Sequence, residues 1–280
     1  MLRGLSDNEI AALYWHWDFW ARPDQLPPEG DWSCWMMLGG RGAGKTRAGA
    51  EWVRGCIEAP PHKNPARRIA LIGETFAAAR SVMVEGVSGL LAISPPELRP
   101  QFLSSRNLLV WPNGAEAQIF SAERPDALRG PQFDLAWCDE LAKWRYDQDC
   151  WDMLQFGLRL GVQPRQMVST TPRPTPLIKQ LLGDPNCALT RDETKANAAN
   201  LADGFIDHIE ARYGGTNMGS NRFGSGLGLE ADTAISGPAD PPSVYWQEED
   251  IVLSPVGGCF TGGRIAVAIH FIKLPPPSLS

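Results

Sequence analysis

A glycine-rich segment that ends in lysine and threonine is the most informative feature of this sequence. Residues 39–46 satisfy the pattern G-x-x-x-x-G-K-[ST]. Glycines at these positions allow successive backbone N–H groups to turn toward a phosphate group without side-chain clashes. In this pattern the lysine places a positive charge near the β- and γ-phosphates, and the final hydroxyl is a ligand for Mg²⁺. The segment therefore predicts a P-loop that binds ATP with Mg²⁺. Its residues are Gly39, Gly40, Arg41, Gly42, Ala43, Gly44, Lys45 and Thr46.

Two acidic residues follow an apolar run farther along the chain. Residues 133–138 predict a buried strand, and Asp139 and Glu140 come directly after it. Open α/β sheets bind their ligands at the carboxyl ends of the strands, where Asp139 could hold Mg²⁺. Glu140 could orient and deprotonate an attacking water molecule. A small-molecule kinase does not need a water-activating acid there, so the pair favours hydrolysis.

Arginine and hydroxyl side chains complete the candidate site. A guanidinium group can stabilise charge on the phosphoryl group that is transferred. Arg41 could do so within its own subunit, and Arg129 could reach the nucleotide of a neighbouring subunit, although either could instead form a surface ion pair. Ser169, Thr170 and Thr171 end a predicted strand, where they could contact the γ-phosphate or serve only as turn and capping residues.

The elements that would position these residues alternate between strand and helix. Short apolar runs predict strands over 34–38, 67–72, 133–138 and 166–171, and helical periodicity predicts helices over 46–57, 76–91 and 151–160. Residues 108–120 predict a hairpin, because Asn113-Gly114 supplies the positive φ angles of its turn. This alternation predicts an α/β fold, a P-loop NTPase with a mainly parallel sheet flanked by helices, of the type with an additional strand and a catalytic glutamate.

Composition limits the classes of protein that remain. The net charge of −6 over 280 residues gives no general attraction to nucleic acid, so any contact with DNA needs a local basic patch. The six cysteines include no C-x-x-C pair, which argues against a zinc site or a disulfide framework. No window reaches the roughly 18 apolar residues of a membrane span, and the sequence therefore predicts a cytoplasmic protein.

The sequence divides into four regions. Residues 1–30 predict a helix and an aromatic-rich loop, 31–185 the ATPase domain, and 186–216 the start of a linker. Glycine and proline occupy 18 of the 67 positions from 214 to 280, against 34 of the 213 before them. Residues 217–280 are therefore expected to form a divergent, partly disordered tail.

With these motifs in order, the chain resembles the large terminase subunit of tailed bacteriophages and of prophage-like gene transfer agents. The resemblance runs from about residue 15 to 216. It is carried by ARPDQLPP at 21–28, LGGRGAGKTRAGAEW at 38–52, LRGPQFD at 128–134, WDMLQFGLR at 151–159 and STTPRP at 169–174.

The resemblance implies an ATP-driven motor that moves double-stranded DNA into a capsid. Its implied partners are the portal protein, a small terminase subunit and further copies of itself in a ring, in the cytoplasm of a bacterial host. In that family Gln25 would lie where adenine is recognised, Lys45 and Thr46 would bind the nucleotide, Asp139 would hold magnesium and Glu140 would be the catalytic acid. Residues 169–171 would couple hydrolysis to movement.

The end of the chain departs from that family. Its members continue into a ribonuclease-H-like nuclease domain, whereas residues 217–280 contain only scattered acids (Glu230, Asp232, Asp240 and 248–250). The sequence therefore predicts no nuclease activity, and a frameshift is one hypothesis for the tail. A generic helicase-like ATPase and an inactive remnant of a terminase are the alternatives.

Overall fold

A computed structural model of the protein describes residues 6–192 and 194–201. Within them, one sheet contains eight strands. These are β1 (Cys34–Gly39), β2 (Arg68–Gly73), β3 (Gln101–Leu103), β4 (Leu108–Val110), β5 (Glu116–Ser121), β6 (Leu135–Asp139), β7 (Arg165–Thr170) and β8 (Cys187–Asp192). The strand order is β3-β4-β5-β2-β6-β7-β1-β8. The six strands from β5 to β8 in that order are parallel, and β4 pairs antiparallel with both β3 and β5.

Helices cover both faces of the sheet. The α-helices of the described residues are α1 (Asp7–Trp15), α2 (Trp17–Trp20), α3 (Lys45–Glu58), α4 (Phe76–Ala78), α5 (Leu90–Ile93), α6 (Asp147–Gly157) and α7 (Pro176–Leu182). A π-helical segment, Ala79–Val84, continues α4. No helix in this part of the chain is both long and apolar enough to cross a membrane.

Strand β1 shows how the two faces are built. All six of its residues are buried, as expected of a central strand in a sheet covered on both sides. Trp35 and Met37 pack in the cluster that contains α3 residues such as Val53. Met36 and Leu38 point to the opposite face and pack in the cluster that contains the apolar side chains of α6 and α7.

Two features hold α3 against its surroundings. A Cβ atom on Gly49 would lie 2.3 Å from Cε2 of Trp137, so the helix backbone sits directly on β6. Arg54 is buried and donates hydrogen bonds to the carbonyl oxygens of Ile93 and Trp15, each over 2.7 Å. It also lies 3.1 Å from the carboxylate of Glu51. One guanidinium therefore joins α1, α3 and the end of α5.

The structure confirms the α/β fold, the parallel sheet and the hairpin between β4 and β5. The prediction of one helix over 76–91 is wrong, because the helical segment ends at Val84 and a turn separates it from α5. Two glycines in that turn, Gly86 and Gly89, explain the break, since glycine disfavours helix interiors.

The sequence also missed the two edge strands of the sheet, β3 and β8. Strand β8 extends the sheet past residue 185, the boundary assigned from the sequence, and pairs in parallel with β1 along its whole length. The predicted linker beyond residue 201 and the divergent region 217–280, with its acidic residues, lie outside the described residues.

Candidate functional site

The order of three neighbouring strands brings the predicted site residues to one edge of the sheet. The P-loop follows β1, Asp139 ends β6, and Ser169 and Thr170 end β7. These strands are parallel and adjacent, with β7 between β6 and β1. Their carboxyl ends therefore share one edge, and β7 is the additional strand that the sequence predicted.

The P-loop is shaped by two glycines in the left-handed region and by the lysine that follows. Gly42 and Gly44 have φ angles of 78° and 92°. A Cβ atom on Gly44 would also lie 2.3 Å from Nε2 of Gln25, so only glycine fits there. The Lys45 ammonium donates hydrogen bonds to the carbonyl oxygens of Gly39 (2.9 Å) and Gly40 (2.8 Å). Burial lowers the pKa of Lys45, and nearby Glu140 and Asp139 oppose that shift.

Asp139 is a buried carboxylate with one strong side-chain partner. The hydroxyl of Ser169 donates a 2.6 Å hydrogen bond to its Oδ1, and the indole N–H of Trp137 in turn donates to the Ser169 oxygen over 2.9 Å. Burial raises the pKa of Asp139 to about 6, a shift that the Ser169 hydrogen bond and the charge of Lys45 reduce. A buried carboxyl group in this position is ready to exchange its proton for a cation.

The donor atoms at this edge fit Mg²⁺ in the presence of a nucleotide. Mg²⁺ prefers hard oxygen ligands and is usually held by one or two protein oxygens together with substrate phosphates. Asp139 offers a carboxylate, and Thr46 offers a half-buried hydroxyl in the first turn of α3. No group of three or more His, Cys, Asp or Glu side chains in the described ranges could hold a metal without such phosphates.

Glu140 has a backbone conformation that a non-glycine residue rarely adopts. Its φ and ψ angles are 54° and 44°, in the left-handed region, and its amide donates a 2.6 Å hydrogen bond to the carbonyl of Ser169. Its carboxylate is partly exposed and lies 3.3 Å from Nζ of Lys143 and 3.4 Å from the Thr171 hydroxyl. Such strain is concentrated at functional sites, where the surrounding structure maintains it.

The structure separates the three hydroxyl residues after β7. Ser169 serves Asp139, and the Thr170 hydroxyl oxygen accepts a hydrogen bond from the amide of Ala142 over 3.0 Å. Both side chains are fully buried. Only Thr171 reaches Glu140, so it is the hydroxyl nearest to a predicted catalytic group.

The two candidate arginines are exposed. Arg41 lies at the turn of the P-loop. Arg129 follows a 3-10 turn after β5, and its side chain is 72% exposed and 3.4 Å from the carboxylate of Asp126. Exposure leaves both guanidinium groups accessible to a ligand or to a second subunit.

Gln25 lies against the P-loop, as its sequence position suggested. It is buried, and its side chain accepts a hydrogen bond from the amide of Arg22 and donates a long one, 3.4 Å, to the carbonyl of Gly44.

Three further contacts to the loop were missed in the sequence. They come from Arg22, Thr194 and Asn197. Arg22 belongs to the ARPDQLPP motif, but no local pattern marks the other two.

A family model agrees with this geometry. The model for the terminase large subunit, T4likevirus-type, N-terminal, matches residues 36–238, which is more than half of the chain. No curated protein is significantly similar to the chain.

Solved structures of large terminases have the same fold. The full large terminase of a thermophilic bacteriophage superposes with a TM-score of 0.56 at 16% identity, over 77% of this chain and 52% of that chain. The same protein solved in complex with ADP gives 0.56 at 16% identity, over 76% and 51%. The ATPase domain of the Thermus phage P74-26 large terminase gives 0.52 at 16% identity, over 70% and 89%. This chain therefore spans about half the length of the first of these proteins and most of the separate P74-26 domain.

Proposed function

Because the chain belongs to the family of T4-like-virus-type terminase large subunits, we propose that residues 31–192 are the ATPase of a DNA-packaging motor. One observation carries the proposal. The P-loop lysine and the Asp139-Glu140 pair meet at one edge of the sheet, close enough for both acids to oppose the lowering of the Lys45 pKa.

The P-loop and its lysine bind the phosphates of ATP in this proposal. Backbone N–H groups between Gly39 and Thr46 point at the phosphate chain, and the positive end of α3 adds a favourable field. Lys45 is then drawn from its two carbonyl partners toward the β- and γ-phosphates. Asp139 and Thr46 hold Mg²⁺, which when bound neutralises part of the negative charge on the phosphates.

Glu140 acts as the general base in hydrolysis. Its carboxylate accepts a proton from water as the water oxygen bonds to the γ-phosphorus and the bond to the departing ADP oxygen breaks. The fixed left-handed backbone aims the side chain, and Thr171 and Lys143 hold its carboxylate. Arg41 from the same subunit and Arg129 from a neighbouring subunit stabilise charge on the γ-phosphate. Ser169 and Thr170 stabilise the site through the sheet edge, and Thr171 is the member that senses the γ-phosphate.

The family supplies the remaining parts of the proposal. Gln25 lies on the adenine side of the nucleotide, where rotation of its amide away from Gly44 would free it to pair with the base. The substrate is double-stranded DNA, the partners are the portal protein, the small terminase subunit and further copies of the chain in a ring, and the setting is the cytoplasm of a bacterial host.

Steady-state ATP turnover tests the proposal. We expect the purified chain to hydrolyse ATP with Mg²⁺, and both Lys45→Ala and Glu140→Gln to reduce turnover by about 100-fold or more. Glu97→Gln is the matched control, because Glu97 is an exposed carboxylate that belongs to none of the proposed site. Turnover that survives in both site variants would refute the assignment.

Partner dependence separates packaging from a generic helicase-like ATPase. Stimulation by DNA that requires the portal or the small subunit supports packaging. Equal stimulation by DNA alone supports the helicase-like alternative. An absence of turnover under every condition would identify an inactive remnant.

A further inference from the structure

Every carbonyl oxygen from Gly39 to Gly44 accepts a hydrogen bond. Lys45 donates to the first two, as described above, and Gln25 reaches Gly44. The three carbonyls between them are held by side chains from outside the motif. We call these side chains, Arg22, Thr194 and Asn197, the loop clamp.

The geometry of the loop clamp is specific for each carbonyl. The Thr194 hydroxyl donates to the carbonyl of Arg41 over 2.8 Å, and Nδ2 of Asn197 donates to that of Gly42 over 2.6 Å. Nη2 of Arg22 donates to the carbonyl of Ala43 over 2.8 Å.

The members of the loop clamp also hold one another. Nη1 of Arg22 donates a 3.0 Å hydrogen bond to Oδ1 of Asn197. The same guanidinium forms an ion pair with Asp192, whose side chain is fully buried at the end of β8. Residues separated by 175 positions in the sequence therefore meet on the outer side of the P-loop.

Packing supports the same contact. The chain leaves β8 into a 3-10 turn, Thr194–Asn200, and then reaches Leu201. A Cβ atom on Gly42 would lie 3.0 Å from Cδ2 of Leu201 and 3.7 Å from Cγ2 of Thr194. Residues 194–201 thus lie directly on the loop, and their hydrogen bonds are not isolated surface contacts.

We propose that Thr194 and Asn197, with Arg22, are positioning residues for the phosphate chain of a nucleoside di- or triphosphate. This inference rests on the nucleotide binding proposed above. In a peptide unit the C=O and N–H point in opposite directions, so carbonyls held outward leave the amides directed at the phosphate. The clamp fixes that arrangement before the ligand binds, which reduces the ordering that binding requires.

The clamp also links nucleotide binding to the chain after β8. If the clamped loop binds phosphate better than a loop released from Thr194 and Asn197, then bound phosphate must favour the clamped state by the same factor. A nucleotide at the P-loop therefore stabilises residues 194–201, through which β8 connects to the rest of the chain.

Calorimetric titration of the full chain with MgADP and with inorganic tripolyphosphate tests the proposal. Thr194→Val keeps the shape and removes the hydroxyl, Asn197→Ala removes the amide, and Thr194→Ser restores the donor. We expect each of the first two to weaken both ligands by about 2- to 10-fold, the range expected for one hydrogen bond, and Thr194→Ser to bind as the wild type does. An effect on tripolyphosphate equal to that on ADP assigns the loss to the phosphate cradle.

Wild-type affinity in both Thr194→Val and Asn197→Ala would overturn the proposal while leaving the nucleotide site intact. The Lys45→Ala variant distinguishes this outcome from failure of the proposed function. If the wild type and Lys45→Ala bind ADP equally poorly, both proposals fall.

A measurement on the wild type alone covers the case in which a variant does not fold. Amide hydrogen exchange of residues 194–201 should slow when MgADP binds. Unchanged exchange in that segment at saturating MgADP would contradict the linkage and overturn the proposal.

Discussion

The left-handed backbone of Glu140 leads to a stability prediction of unusual sign. At an ordinary position, replacing alanine by glycine destabilises a protein by about 0.5–1 kcal/mol, because glycine has more freedom in the unfolded chain. With a φ angle of 54°, any side chain at position 140 carries a steric cost of roughly 1–2 kcal/mol that glycine avoids. The steric term exceeds the entropic one, so we expect Glu140→Gly to be more stable than Glu140→Ala by about 0.5–1 kcal/mol.

The comparison of the two variants isolates the backbone. Both lose the ion pair with Lys143 and the contact with Thr171, so these terms cancel in the difference. Urea unfolding measures that difference if the two variants have the same m-value. Both variants should lack ATP turnover.

A control in α4 sets the ordinary sign. Ala77 is exposed in that helix, and Ala77→Gly should lose about 0.5–1 kcal/mol. If Glu140→Gly proves less stable than Glu140→Ala by a similar amount, the strain attributed to position 140 is absent and the reasoning is refuted.

Three further predictions concern buried groups. The pKa of Asp139 is about 6 in the folded chain and 3.8 without burial, so metal-free wild type should lose up to about 3 kcal/mol of stability as the pH rises from about 4 to 6. Asp139→Asn should remove that slope, as measured by urea unfolding in EDTA at each pH. Arg54→Met should cost about 3 kcal/mol, because it leaves two carbonyls and a buried carboxylate without their partner. Gly49→Ala should destabilise by about 2 kcal/mol through its clash with Trp137, whereas Gly55→Ala in the same helix meets nothing within 4 Å and should stabilise by up to about 1 kcal/mol.

Each of these predictions has a clear contrary outcome. A pH slope that Asp139→Asn retains would assign the titration to another group. Equal stability of Arg54→Met and the wild type would mean that the buried guanidinium contributes no net stabilisation. The two glycine variants of α3 must change stability in opposite directions, and thermal unfolding that moves both the same way would contradict the packing against β6.

Much of the site could be predicted from local sequence. The P-loop is a continuous pattern in which each glycine, the lysine and the threonine has a chemical reason for its position. The strands β1, β2, β6 and β7 are short apolar runs, and the turn between β4 and β5 is specified by Asn113-Gly114. The helix predicted over 76–91 failed where Gly86 and Gly89 interrupt it, although both glycines were visible in the sequence.

Other features depend on contacts between distant residues, and only the tertiary structure decided them. The position of β7 between β1 and β6 is a property of strand order, which no local pattern specifies. The edge strand β8 is only partly buried and gives a weak apolar signal, so it was missed. The Ser169–Asp139 hydrogen bond joins residues 30 positions apart.

The P-loop shows the division most clearly. Its sequence alone determined which backbone N–H groups can turn toward a phosphate. The side chains that hold its carbonyls outward come from residues 22 and 194–197, which approach the loop only after the sheet has formed. A local motif can specify a conformation that the backbone is able to adopt, but the partners that stabilise this conformation depend on how the whole chain packs.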